Sequence, residues 1–227
     1  MLLFIAFDKT VFNRLLTRLA LIIAAVSYLL GSIPFGYLLV RMFRGEDVRE
    51  TGSGNIGATN VARTGSKGLA IATLLLDGLK GYAAVAFAFW LASAQRPNGE
   101  AIDNGTVFLL AALAAFFAIV GHMFTVWLRF KGGKGVATAA GAFVALAPRA
   151  MLAGLVLFLI VFAVTRYVSL GSMLAAASFP LFVWWLNGAE RNTAPILLLI
   201  SASSLLIIVR HKDNIRRLLA GTEHRLR

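Results

Sequence analysis

Residues 135–165 read GVATAAGAFVALAPRAMLAGLVLFLIVFAVT, thirty-one positions whose only charged residue is Arg149, beside Pro148. One helix of that length would extend about 46 Å at ~1.5 Å per residue, well beyond a hydrocarbon core of about 30 Å. Two helices of about 15 residues would each be short for a span. Length leaves the choice open, and the charges outside the stretch decide it. Broken at Pro148, the stretch brings the chain to seven spans. The segments 41–67, 129–134, Arg166 and the tail after Val209 then share one face with 15 Lys and Arg, against six on the other. Read as one span, the stretch takes Arg149 into the membrane and the remaining residues divide 9 against 11. Lys and Arg are retained on the cytoplasmic side, so the sequence predicts seven transmembrane helices with the N-terminus outside.

The rest of the chain agrees with a membrane setting. Of 227 residues, 59% are hydrophobic and 14% charged, where a soluble domain has about a quarter charged. Mean hydropathy is +0.81. Residues 19–40, 106–128 and 167–188 are free of Asp, Glu, Lys and Arg, and so is the shorter 192–209. Residues 68–94 are long enough but carry Asp77 and Lys80. Trp127, Trp184 and Trp185 fall near predicted span ends, as interfacial anchors do. Pro34 and Pro180 fall inside spans, where a packed bundle tolerates kinks. The start is apolar, but its charges, Asp8, Lys9, Arg14 and Arg18, follow the apolar run, the reverse of a signal peptide. Residues 1–18 therefore read as a short interfacial helix, and 19–227 as one all-α integral membrane domain.

Several function classes drop out. The chain has no cysteine, which removes disulfides and thiolate chemistry, and its His122, His211 and His224 are too scattered for a metal cluster. A net charge of +12 on so apolar a chain points to anionic lipids or substrates rather than nucleic acid.

Three polar segments on the predicted cytoplasmic face carry the chemistry. Residues 51–63 read TGSGNIGATNVAR. Their glycines allow backbone amides, including those of Gly54 and Asn55, to converge on an anion. Ser53, Thr59 and Asn60 add neutral donors, and Arg63 a fork that fits phosphate. A flexible linker is the alternative. Residues 129–138 read RFKGGKGVAT. Gly132 and Gly133 free amides near a helix start, Lys134 supplies a cation, and Thr138 follows. Without the spacing of a P-loop or a preceding strand, no nucleotide site is expected; a simple basic turn is the alternative. In the tail, His211 and Asn214 are spaced to share a helical face, with Arg217 near them. Asp77 and Lys80, three apart within a span, form either a packing ion pair or part of the substrate site.

Taken together these segments resemble the bacterial acyl-phosphate:glycerol-3-phosphate acyltransferase (PlsY) family. The resemblance rests on Gly31-Ser32-Ile33-Pro34, on residues 52–60 with Arg63, on Asp77-Gly78-Leu79-Lys80-Gly81, on residues 131–138, and on His211 through Glu223. It implies a seven-span inner-membrane enzyme, its site and C-terminus cytoplasmic and its N-terminus periplasmic. That enzyme would transfer a fatty acyl group from acyl phosphate to the 1-hydroxyl of glycerol 3-phosphate, with no cofactor and no obligatory protein partner. It also implies phosphate-binding roles for Ser53, Arg63, Gly132, Gly133 and Lys134, matching tail residues His211 and Asn214, and a supporting Glu223. His211 is either a general base or a binding residue. A transporter would place its site at the midplane between repeated halves; this chain has no repeat and gathers its polar residues at one interface. A non-catalytic scaffold would not need Asn, Ser, Thr and His gathered among the cations.

Overall fold

The computed structural model describes residues 9–95, 101–188 and 192–225, with side chains from residue 13 onward. Among these residues the regular structure is helical throughout. The elements are α1 (Lys9–Ser32), α2 (Phe35–Arg44), α3 (Ala58–Arg63), α4 (Lys67–Ser93), α5 (Asn104–Met123), α6 (Val136–Leu146), α7 (Pro148–Thr165), α8 (Val168–Leu186), α9 (Ala194–Arg210) and α10 (Lys212–Leu219). Residues 1–8, and Arg96 and Arg191 from the charge argument, lie outside the described residues.

The 135–165 stretch is two helices. Ala147 leaves the helical region at φ −145° and Pro148 opens α7, because proline lacks the amide a continuing helix needs and pushes the preceding residue out of α geometry. The count of seven spans is not reached on length. Five segments are long and apolar enough to cross a bilayer: Asn13–Arg44, Lys67–Ser93, Asn104–Leu128, Pro148–Thr165 and Val168–Leu186. Ala194–Arg210 with Lys212–Leu219, bent by 54°, would make a sixth. With 11 residues, α6 falls short.

Two further expectations need correction. No break separates an N-terminal helix from the first span, since α1 runs unbroken from Lys9 to Ser32 with no glycine or proline before Gly31 to interrupt it. Pro34 does not merely kink its span; it ends one helix and leaves α2 to begin at Phe35. The carbonyls freed there are satisfied by side chains, Ile33 O by Lys80 Nζ at 2.7 Å and Ser32 O by the Thr125 hydroxyl. Such partners are what permit broken helices at membrane depth. Pro180, by contrast, lies within an uninterrupted α8.

Small residues bring the helices together. A Cβ on Gly31 would lie 2.1 Å from Ala118 O, and one on Gly121 2.2 Å from Tyr28 O, so α1 and α5 touch backbone to backbone. Gly81 and Gly141 do the same between α4 and α6, at 2.0 Å from Thr138 O and 1.8 Å from Gly78 O. In lipid, where apolar burial drives helix pairing little, such close packing is a main source of association. Ile23, Val85, Ile119, Phe143, Phe179 and Ile200 fill the core, Phe143 stacking on Phe179 at 4.2 Å. A smaller cluster, Val40, Val48, Ile56, Val61 and Leu128, anchors the 45–66 segment beneath α2. The large side chains of α7 instead face outward, Leu152, Leu159, Ile160 and Val164 each more than half exposed, as on a lipid-facing helix.

Candidate active site

The polar segments expected on one face converge on a single cavity of about 700 Å³. Ser53, Asn55, Thr59, Asn60 and Arg63 line it from the first loop, Asp77 from α4 and Lys134 from the second loop. His211, Asn214 and Glu223 close it from the tail. Leu74, Val136, Ala137, Phe158 and Val168 make part of its wall apolar.

Asn60 organises the first loop. Buried to 1% exposure, its carbonyl oxygen accepts from the Ser53 amide at 2.8 Å and the Ser53 hydroxyl at 3.1 Å. Its NH₂ group donates to the carbonyls of Val48, Thr51 and Asn55. The Gly54 amide goes to Thr51 O and the Gly57 amide to Asn55 Oδ1. The amides of Ser53, Gly54 and Gly57 are therefore spent on the loop's own turn. This corrects the expectation of an anion-binding amide at Gly54, while Asn60 lines the cavity but spends its amide group on the loop. Ser53, Thr59 and Arg63 face the cavity beside Asn55 and Asn60. Gly52 has φ +55°, and a Cβ there would meet Asn60 Oδ1 at 2.4 Å, so the turn requires glycine.

The second loop is corrected in the same way. The Gly132 amide donates to Met123 O at 3.1 Å and that of Gly133 to His122 O at 3.0 Å. Neither glycine lines the cavity. Both are needed for close approach, since a Cβ on Gly132 would sit 2.0 Å from His122 O and one on Gly133 2.0 Å from His122 Nε2. The glycines thus seat the loop on the end of α5 and leave anion contact to Lys134. Thr138 is fully buried, packed against Gly81 of α4, and does not reach the cavity.

Lys134 and the tail form one polar network. Lys134 Nζ donates to Asn214 Oδ1, and Asn214 Nδ2 to Glu223 Oε1 at 2.6 Å. Glu223 also accepts from Ser169 Oγ and from Arg217 Nε, each at 2.7 Å. Burial alone would raise the Glu223 carboxyl, but those three hydrogen bonds outweigh it and hold it below the ordinary range. Burial brings Lys134 down to about 8; Glu223 opposes the shift, and Arg217 and Arg63 add to it. His211 Nδ1 lies 2.7 Å from Ile207 O. A carbonyl can only accept, so Nδ1 carries the proton and Nε2 keeps its lone pair. Burial, reinforced by Lys134 and opposed by the Ile207 bond, lowers this histidine to about 4.

Asp77 and Lys80 pair at 2.7 Å, both buried. Lys80 is turned to the helix break at Ile33 and is absent from the cavity wall, which is the packing role. Asp77 does reach the wall, as does His122, whose Nδ1 lies 3.6 Å from Asp77 Oδ1. The sequence reading did not assign His122 to the site. Its signal was available: an acid at membrane depth calls for partners, and His122 sits near the end of the neighbouring apolar helix. Ser169 and Arg210 were also missed. Each acts through contacts more than fifty positions away in the chain, which local spacing does not encode.

A helical membrane bundle with a cavity lined by cations, neutral polar groups and apolar side chains is the class of protein that these features define. A family model described as glycerol-3-phosphate acyltransferase matches residues 21–221. Relatives named glycerol-3-phosphate acyltransferase include that of Anaeromyxobacter sp. (strain Fw109-5), 47% identical over 93% of this chain and 98% of its own length. That of Agrobacterium fabrum (strain C58) is 49% identical over 89% and 90%. The solved structure of PlsY (YgiH), an integral membrane glycerol 3-phosphate acyltransferase, superposes with a TM-score of 0.79 at 38% identity in its glycerol 3-phosphate form, covering 92% of this chain and 96% of that one. Its lysophosphatidic acid form superposes at 0.76 and 36%, covering 92% and 95%. This multi-pass membrane chain belongs to the glycerol-3-phosphate acyltransferase family.

Proposed function

We propose that the chain transfers a fatty acyl group from acyl phosphate to the 1-hydroxyl of glycerol 3-phosphate, releasing lysophosphatidic acid and inorganic phosphate. The observation that carries this reading is the meeting of Arg63, Lys134 and the His211–Asn214 pair in one cavity that apolar side chains also line. The PlsY forms named for glycerol 3-phosphate and for lysophosphatidic acid support the acceptor and the product. The charge bias supports a cytoplasmic cavity and C-terminus with a periplasmic N-terminus, and the bacterial relatives support an inner membrane, with residues 19–227 read as one domain.

In this reading Ser53, Thr59, Arg63, Lys134 and Asn214 hold the phosphate groups, while Asn60, Gly132 and Gly133 shape the loops that present them and Glu223 fixes the tail. The acceptor hydroxyl attacks the acyl carbon, the carbon–oxygen bond to phosphate breaks, and the ester forms. Acyl phosphate already carries a good leaving group, so catalysis is positioning plus stabilisation of the developing oxyanion and departing phosphate. No enzyme nucleophile is required, in keeping with a cysteine-free chain. The hydroxyl proton has two acceptors in reach, His211 and a phosphate oxygen. A phosphate with a second pKa of about 6 holds a proton better than an imidazole lowered to about 4, so phosphate takes it and His211 binds substrate through its free Nε2.

The test is phosphate release by the purified protein given acyl phosphate, with EDTA present and no nucleotide, with and without glycerol 3-phosphate. Release that depends on the acceptor and matches lysophosphatidic acid in amount is the expected result. Release without an acceptor would instead mark a hydrolase, and none at all would remove the enzyme reading. The pH profile offers a second check. The ammonium of Lys134 is the phosphate-binding form, and it is lost as pH rises through about 8. In kcat/KM for glycerol 3-phosphate, which reports the free enzyme, a fall approaching about tenfold per pH unit is expected above that point. Lys134→Arg, charged throughout, should abolish the fall while retaining some activity. A wild-type profile that stays level to pH 10 would contradict the assignment.

A further inference from the structure

Arg210 ends α9, immediately before His211, and is half-buried outside the cavity wall. Its guanidinium donates to two consecutive carbonyls of the second loop, Nη2 to Gly132 O at 2.9 Å and Nε to Gly133 O at 3.2 Å. Its Cζ lies 5.4 Å from the ring centre of Phe124, within cation–π range. The amides of the same two glycines are held by Met123 and His122, and their Cβ-less faces rest on the His122 backbone and ring. Both sides of the Gly132–Gly133 backbone are therefore fixed, one by the end of α5 and the other by a single side chain from α9. Lys134 is the next residue, and it points into the network built by the α9–α10 junction.

We propose that Arg210 is a positioning residue for the acyl transfer, a two-pronged clamp that holds the 132–133 backbone so that Lys134 meets the acceptor's phosphate. This rests on the functional reading above. A planar fork suits two carbonyls, whereas lysine offers a compact point charge. It also explains why the residue beside His211 is basic without facing the cavity: one junction supplies His211 and Asn214 and fixes the loop that carries the third polar group.

The experiment uses the full-length protein with Arg210→Lys and Arg210→Ala. Arg210→Lys, which keeps the charge and stem, is expected to raise KM for glycerol 3-phosphate by about tenfold, the effect of a lost hydrogen bond to a charged group, with kcat and melting temperature near wild type. Arg210→Ala should lose more, and millimolar guanidinium should restore part of its activity while leaving Lys134→Ala unrescued. Independently of turnover, acetic anhydride labelling followed by peptide mass spectrometry should show Lys134 modified several-fold faster in both variants, relative to exposed Lys131 in the same loop. Wild-type KM with unchanged Lys134 labelling in Arg210→Lys would overturn the proposal. So would equal guanidinium rescue of the Arg210 and Lys134 variants. If the wild-type enzyme itself transfers no acyl group, the functional reading fails while the labelling comparison still decides whether Arg210 sets Lys134.

Discussion

Lys134→Ala is expected to lower kcat/KM for glycerol 3-phosphate by about 10²–10³-fold, the effect of removing a donor worth about 3–4 kcal/mol in a buried site. The lysine is the one charged side chain that the second loop sends into the cavity; Arg129 and Lys131 belong to the same loop but do not line it. Its partner is neutral Asn214, so its charge stays available to an incoming phosphate instead of being cancelled by a carboxylate. Glu223 is kept off by its bonds to Ser169, Asn214 and Arg217. Steady-state incorporation of labelled glycerol 3-phosphate would measure the loss, with exposed Lys131→Ala as a control expected to stay within a few-fold of wild type. Equal activity in the two variants would remove Lys134 from the site.

Gly133→Ala should have the second largest effect, about a hundredfold loss of activity together with a lower melting temperature. The added methyl would occupy a point 2.0 Å from His122 Nε2, and His122 is buried even though it borders the cavity, so either the ring or the loop must move. Overpacking of this kind costs about 1–3 kcal/mol, and a displacement near 1 Å at a catalytic group can cost about 10²-fold in rate. The double variant His122→Ala/Gly133→Ala frees that volume and should recover most of the melting temperature. Alanine keeps the backbone amide, so if Gly133 served only as an amide donor to phosphate, the single variant would stay close to wild type.

Which features could be read from the chain follows from how far their causes reach. The break at Pro148 is local chemistry, and composition with charge bias was enough to reveal a membrane bundle with its polar segments gathered at one end. The shortness of α6 was legible too, because Lys134 and Pro148 bound the apolar stretch that holds it. Within the cavity, residue type was a good guide to which residues line it and a poor guide to where their polar groups point. Asn60 and the glycines at 132 and 133 were recognisable as special, but a donor's destination depends on what lies opposite it. Asn60 faces its own loop, and the glycine amides face carbonyls at the end of α5. His122 was hidden by looking ordinary in an apolar helix, and Arg210 by looking like any basic residue at a membrane boundary.

The tail network has a consequence for the order in which the protein is made. Ser53, Arg63 and Lys134 leave the ribosome early, yet Lys134 has no partner in the cavity until Asn214 is synthesised, and Asn214 is fixed only when Glu223 follows. A nascent chain short of residue 223 thus lacks the carboxylate that fixes Asn214 beside Lys134. The cavity's polar network closes only when Glu223 follows the helices that form most of its walls.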